Sequence, residues 1–316
     1  MQLPPREEAV GTLTMSFTAQ FESMGVVQLQ GFAGLPWKLQ INIVIACARR
    51  LFCIQALKTA TAYAACLLVA TTSLMPDPAF GEGAAETCLA VRQMLSAGAA
   101  LPRTAKIINA GGALKIVAIG SSSTVGLWQS DPAATYPGVL KAELMRLKPA
   151  LRLTVTNSGR NGDTIPGNIA RFDRDVFAHA PDLVVWQVGT NDMTWLQSAE
   201  GLTQKIAEGV RALKSAGADV ILMDQQYAPV ILASQYSKMQ ASIAEAARQE
   251  HVALFSRFEL MRRAVDAGLS IGALVAWDGL HNSAAGYDCT GRALARAIAA
   301  ATDKSTPQPQ TAKRSK

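Results

Sequence analysis

From Lys115 onward, short apolar runs alternate with longer stretches in which apolar residues recur every three or four positions. The runs are Lys115–Gly120 (KIVAIG), Leu151–Asn157 (LRLTVTN), Leu183–Val188 (LVVWQV), Asp219–Asp224 (DVILMD) and His251–Phe255 (HVALF). They are rich in Val, Ile and Leu, the pattern of strands buried on both faces. Between them, Tyr136–Leu147, Ile165–His179, Ala199–Ala216 and Ser237–Glu250 have helical spacing, and a last helix is expected from about Ala284 to Ala300. Strand and helix repeated in this order require right-handed crossovers. The expected fold is therefore α/β, with a parallel sheet covered by helices on both sides.

The first eighty residues follow a different rule. Residues 41–57 are apolar but split by Arg49 and Arg50, and the run from Ala60 to Met75 follows Lys58 and stops before Pro76. Basic, apolar and then small residues, ending in Ala79-Phe80-Gly81, read as a secretory signal with the mature chain from about Glu82. A single membrane anchor is the other reading of this run, which at about 16 residues falls short of the usual spanning length. Arg49-Arg50-Leu51-Phe52 also has the look of a twin-arginine export signal. The expected organisation is a signal and extension over 1–81, a lead-in segment over 82–114, one domain over 115–302, and a polar, Pro/Gln-rich tail over 303–316 that reads as disordered. The expected location is periplasmic or secreted, with membrane contact only through an uncleaved signal.

Composition narrows the classes further. Of 316 residues, 49% are hydrophobic and 17% charged. That excludes collagen-like, coiled-coil and disordered chains. The net charge of +6 invites a nucleic-acid reading, but residues 82–302 hold 21 basic and 19 acidic side chains. A near-neutral body lacks the concentrated basic face that phosphate backbones require, so no nucleic-acid partner is expected. Three of the five cysteines, Cys47, Cys53 and Cys66, lie in the signal, leaving Cys88 and Cys289. In an oxidising compartment such a pair is a disulfide candidate, with two buried free thiols as the alternative. His179, His251 and His281 are too far apart for a local metal motif, so no structural zinc site is expected.

In such a sheet the loops at the carboxyl ends of the strands face the ligand. After the first run comes Gly120-Ser121-Ser122-Ser123-Thr124-Val125-Gly126. This cluster reads as a phosphate cradle, as a nucleophilic serine, or as plain capping; both the Walker spacing and the GxSxG elbow are absent. After the second run, Asn157-Ser158-Gly159-Arg160-Asn161-Gly162-Asp163-Thr164 holds two glycines able to turn a backbone N–H toward the cleft. Gly189-Thr190-Asn191-Asp192 follows the third run and offers a side-chain amide. Near the end stands Trp277-Asp278-Gly279-Leu280-His281. A serine hydroxyl needs a base to take its proton and a third group to hold that base, and His281 and Asp278 supply both within one turn. Trp128, Trp186, Trp195 and Trp277 lie in or beside these loops, either to stack on a sugar or to pack.

These four blocks, in this order and spacing from Lys115 to Ala300, resemble the SGNH (GDSL-type) hydrolases. The resemblance places the nucleophile on Ser122, the base on His281 and the orienting aspartate on Asp278. It places the oxyanion hole on the backbone of Ser122 and Gly162 and on the Asn191 amide. Gly-Ser-Ser-Ser replaces the family's Gly-Asp-Ser-Leu, a GSSSTxG variant similar to that of exported bacterial members; Thr124-x-Gly126 sets the register on Ser122. The resemblance implies a three-layer α/β/α sandwich with a five-stranded parallel, flavodoxin-like sheet. It further implies hydrolysis of short acyl esters of small molecules or glycans, commonly acetyl, with no metal or organic cofactor. Transfer of the acyl group to a sugar hydroxyl uses the same residues. Two rival readings remain: a non-catalytic binding module for acylated glycan, which would bind ligand without forming an acyl-enzyme, and a phosphate- or nucleotide-binding flavodoxin-like domain, which needs no His281 within hydrogen-bond reach of Ser122.

Overall fold

The computed structural model describes Leu95 and residues 101–194 and 200–303. The signal at 1–81, Cys88, Trp195 and the tail beyond Asp303 lie outside the described residues.

Five strands form one parallel sheet: β1 (Ala113–Gly120), β2 (Arg152–Gly159), β3 (Leu183–Gln187), β4 (Asp219–Met223) and β5 (Ala253–Phe255). Their order is β2-β1-β3-β4-β5. This is the doubly wound order in which the chain turns back on either side of β1, leaving a crevice outside the carboxyl ends of β1 and β3. The main helices are α1 (Pro102–Asn109), α2 (Tyr136–Leu147), α3 (Leu202–Ser215), α4 (Tyr236–Gln249), α5 (Arg257–Asp266) and α6 (Ala284–Thr302).

Alternate side chains of each central strand enter opposite cores. Leu114, Ile116 and Ala118 of β1, Leu183 and Val185 of β3, and Ile221 and Met223 of β4 pack with α2, α5 and α6. Val117, Ile119, Val184, Trp186, Val220 and Leu222 pack on the other face with α3 and α4. Because both faces are covered, neither needs polar residues, and the alternation that marks a half-solvated strand is missing. The architecture is thus the three-layer α/β/α sandwich expected from the sequence.

Some boundaries differ for local reasons. Ser158 and Gly159, expected in the loop after the second run, are the last residues of β2 and pair with Ile119 and Gly120 of β1. The expected single helix over Ile165–His179 is instead two helical turns, Ile165–Ile169 and Phe172–Asp175, and a 3₁₀ turn, Phe177–His179. The break falls at Arg171, whose backbone (φ −119°, ψ 11°) leaves the helical region as its side chain turns inward. His251, expected to open the fifth strand, sits at φ +53° and ends the turn before it. Helix α5 was absent from the sequence expectation. It starts at Ser256, whose Oγ accepts a hydrogen bond from the Glu259 amide. Leu95 forms an isolated antiparallel bridge with Phe255.

Candidate active site

The residues singled out in the sequence come together at the carboxyl end of the sheet. β1 ends at Gly120, and the chain bends at Ser121 into a helical turn, Ser122–Val125. At the far end of the domain, Trp277–His281 forms a tight loop closed by the bridge between Val275 and Asn282. Asp278 Oδ1 accepts hydrogen bonds from the backbone amides of Leu280 (3.0 Å) and His281 (2.9 Å), so the carboxylate shapes its own turn. Its Oδ2 lies 2.6 Å from His281 Nδ1, and His281 Nε2 lies 2.7 Å from Ser122 Oγ. With Nδ1 protonated and donating to the carboxylate, Nε2 is left as the acceptor for the serine proton.

Burial of Asp278 pushes its acidity toward weaker, but hydrogen bonds from Leu280, Trp128 and His281 outweigh it and hold the carboxyl down at about 2. Asp278 is therefore ionised at neutral pH.

The glycine and asparagine blocks are tied to the serine turn by a set of hydrogen bonds. The amide of Arg160 donates to the Gly120 carbonyl (3.0 Å), and Asn157 Nδ2 donates to the Thr124 carbonyl (2.7 Å). A side chain at Gly159 would strike the backbone of Thr124 and Val125, so only glycine lets β2 come this close to the serine turn. Gly162 sits at φ +74°, a region that favours glycine, and there the loop reverses. Asn191 Nδ2 donates to the carbonyl of Asp163 (2.8 Å), the residue after Gly162, and its amide has a second N–H for another acceptor. Asp192, the next residue, is buried and accepts from the Ile165 amide. Burial raises its pKa to about 6 against the pull of that hydrogen bond.

Three residues hold this arrangement together; Arg171 and Gln187 were not singled out in the sequence, and Trp128 was read there only as a ring beside the cleft. Arg171 is 6% exposed and donates to Asp163 Oδ2 (2.6 Å), Asp175 Oδ2 (2.8 Å) and the carbonyls of Ser158 (2.8 Å) and Gly120 (3.0 Å). One buried guanidinium thereby joins the ends of β1 and β2 to the glycine loop. Gln187, at the end of β3, accepts from the Ser121 amide (2.9 Å), Ser121 Oγ (3.0 Å) and Thr124 Oγ1 (3.2 Å). Its amide donates to Thr190 Oγ1, which donates to Gln226, and Gln226 Nε2 donates to the Leu280 carbonyl (2.8 Å). This chain of buried amides runs from the serine turn to the histidine loop. The signal was there in a polar residue closing the apolar run LVVWQV. Trp128 is the third; its indole Nε1 donates to Asp278 Oδ2 (2.8 Å).

The tryptophans divide. Trp186 is fully buried and bonded to Asn168 Oδ1, a core residue. Trp128 and Trp277 are 52% and 78% exposed, with ring centroids 5.2 Å apart beside Asp278.

A serine, a histidine and an ionised aspartate in one hydrogen-bonded line, with amide donors nearby, can support nucleophilic attack on a carbonyl carbon. The comparisons with known proteins agree in kind. The chain is 29% identical to an arylesterase of Vibrio mimicus over 40% of its own length and 60% of that protein's. It is 27% identical to an acetylxylan esterase of Geobacillus stearothermophilus over 52% of its length and 80% of that enzyme's. In fold it resembles a two-domain esterase active on acetylated mannans, with a TM-score of 0.56 at 22% identity over 66% of this chain and 57% of that one. The first of these relatives is spanned over less than two thirds of its length. Residues 87–304 match the family described as non-GDSL lipase-like, and the chain belongs to that family.

Proposed function

We propose that the protein is a carboxyl ester hydrolase of SGNH type, acting through Ser122, His281 and Asp278. The single observation that carries the reading is the line of contacts Ser122 Oγ to His281 Nε2 (2.7 Å) and His281 Nδ1 to Asp278 Oδ2 (2.6 Å). His281 takes the proton of Ser122 as its oxygen attacks the ester carbonyl. The oxyanion is met by the backbone N–H groups of Ser122 and Gly162 and by the free N–H of Asn191. One such donor is worth about 3–4 kcal/mol in the transition state. His281 then protonates the leaving alcohol, the acyl group stays on Ser122, and water, deprotonated by the same histidine, releases the acid. Asp278 keeps the imidazole in the required tautomer and stabilises its positive form.

The substrate we infer is a short acyl ester, acetyl above all, carried on a sugar. The support is twofold: the acetylxylan esterase relative, and the exposed Trp128–Trp277 pair beside the acid of the triad, with ring faces of the kind on which a pyranose can lie. A series of p-nitrophenyl esters from acetyl to octanoyl, run beside acetylated xylo- and manno-oligosaccharides, tests it. Wild type should favour acetyl and be inert as Ser122→Ala; equal rates for both proteins would refute the triad, and a preference for octanoyl would refute the acetyl reading.

Export, and a Cys88–Cys289 bridge formed after it, belong to the same proposal. Cys289 is buried in α6. Leu95, seven residues beyond Cys88 in the sequence, pairs with Phe255 and packs on the core to which Cys289 belongs.

A further inference from the structure

Trp128 is difficult to explain by packing. It is a bulky residue at φ +74°, a region that L side chains with large groups rarely adopt. Burial does not compensate, since half its surface is exposed. Strain held at an exposed position calls for an interaction that requires it. The interaction present is with the triad. Of the four donors around the Asp278 carboxylate, three come from its own loop: the amides of Leu280 and His281 and the ring of His281. The fourth is the Trp128 indole, reaching from the serine side of the cleft to the same oxygen, Oδ2, that faces His281.

We propose that Trp128 is a positioning residue of the catalytic array. Its indole N–H fixes the rotation of the Asp278 carboxylate so that Oδ2 points at His281 Nδ1. The two backbone amides anchor Oδ1 but leave the carboxylate free to rock about that anchor. A donor on Oδ2 from outside the loop removes this freedom, and it ties the loop carrying the base to the loop carrying the nucleophile. Trp277, its ring tilted by 52° and its centroid 5.2 Å away, packs against the indole. The left-handed backbone at 128 is what brings the ring edge, and not only a ring face, to the carboxylate. This inference rests on the triad proposed above.

The test separates the N–H from the ring. Replacing Trp128 with benzothienylalanine keeps the shape and the ring contact with Trp277 but puts sulfur where the N–H was; Trp128→Phe keeps an aromatic ring and also lacks the donor. Both should lower kcat on p-nitrophenyl acetate about tenfold, the scale of one hydrogen bond to a charged acceptor. KM should stay within about twofold, because the substrate-facing ring remains. The low-field proton resonance of His281 Nδ1–H should move in the benzothienylalanine protein while the melting temperature stays that of wild type. A kcat within twofold of wild type for that isostere, or an unmoved His281 resonance, would overturn the proposal. The resonance is read without turnover, so a wild-type protein inert on every ester would refute the proposed activity and still leave the Trp128–Asp278 coupling open to this measurement.

Discussion

Replacing Asp278 with asparagine changes one oxygen to an NH2 group, and the structure gives that group no place to go. With the amide nitrogen in the Oδ2 position it faces two donors, His281 Nδ1–H and the Trp128 indole. Rotated by half a turn, it faces two others, the amides of Leu280 and His281. Either way two donors lose their acceptor. The first orientation drives His281 to the tautomer with its proton on Nε2, which cannot accept from Ser122; the second opens the turn that carries the histidine. The expected loss in kcat is roughly 1,000- to 10,000-fold, the scale on which a triad loses its correct tautomer. Stability falls as well. The carboxyl is lowered from 3.8 to about 2, and its side chain is only 18% exposed, so ionised Asp278 contributes about 2 kcal/mol. Because the folded value is the lower one, that contribution is complete above about pH 4 and is lost as pH falls through about 2. Asp278→Asn should therefore unfold at lower urea than wild type at pH 7, by about 2 kcal/mol. Steady-state kinetics on p-nitrophenyl acetate and urea titration of both proteins check the two numbers. An asparagine variant within tenfold of wild-type kcat would refute the argument about the tautomer.

The remaining expectations concern the supports around the triad. Asn191→Ala should lower kcat roughly 100- to 1,000-fold with little change in KM, since its donor acts on charge that appears only in the transition state; a change confined to KM would make Asn191 a ground-state contact. Arg171→Met should destabilise the fold by about 3–5 kcal/mol, because the Asp163 side chain, only 8% exposed, loses the cation it is paired with. A urea midpoint unchanged from wild type would show that Arg171 does not bear on the glycine loop.

What was legible in the sequence follows from what makes each signal local. The sheet was, because strands covered on both faces must be apolar throughout, and Val184, Ile221 and their neighbours leave no other way to read those runs. That the serine block and the Asp278–His281 pair face one cleft was legible because loops at the carboxyl ends of the strands meet there; that Ser122 is the serine which meets His281 came from the resemblance to the SGNH hydrolases, not from the residues alone. Arg171 was not legible. In the sequence it sits on the polar side of an apparent amphipathic helix, and nothing local says that the helix breaks there and the guanidinium turns in to meet carbonyls from two strands. Helix α5 was missed for a related reason: Arg257-Phe258-Glu259-Leu260-Met261-Arg262-Arg263 mixes charge with apolar residues, and its start depends on the cap at Ser256. Trp128 was seen as a ring near the cleft, but its donor role depends on a left-handed backbone and a partner 150 residues away.

In the proposed mechanism Ser122 carries the acyl group, with His281 as its base. Peptide mapping by mass spectrometry after reaction with a fluorophosphonate tests it most directly. One adduct per chain is expected, on Ser122, absent from Ser122→Ala and strongly slowed in His281→Ala, while Ser121→Ala and Ser123→Ala label as wild type does. An adduct on Ser121 or Ser123 in the wild-type protein, or undiminished labelling of the Ser122→Ala variant, would contradict it.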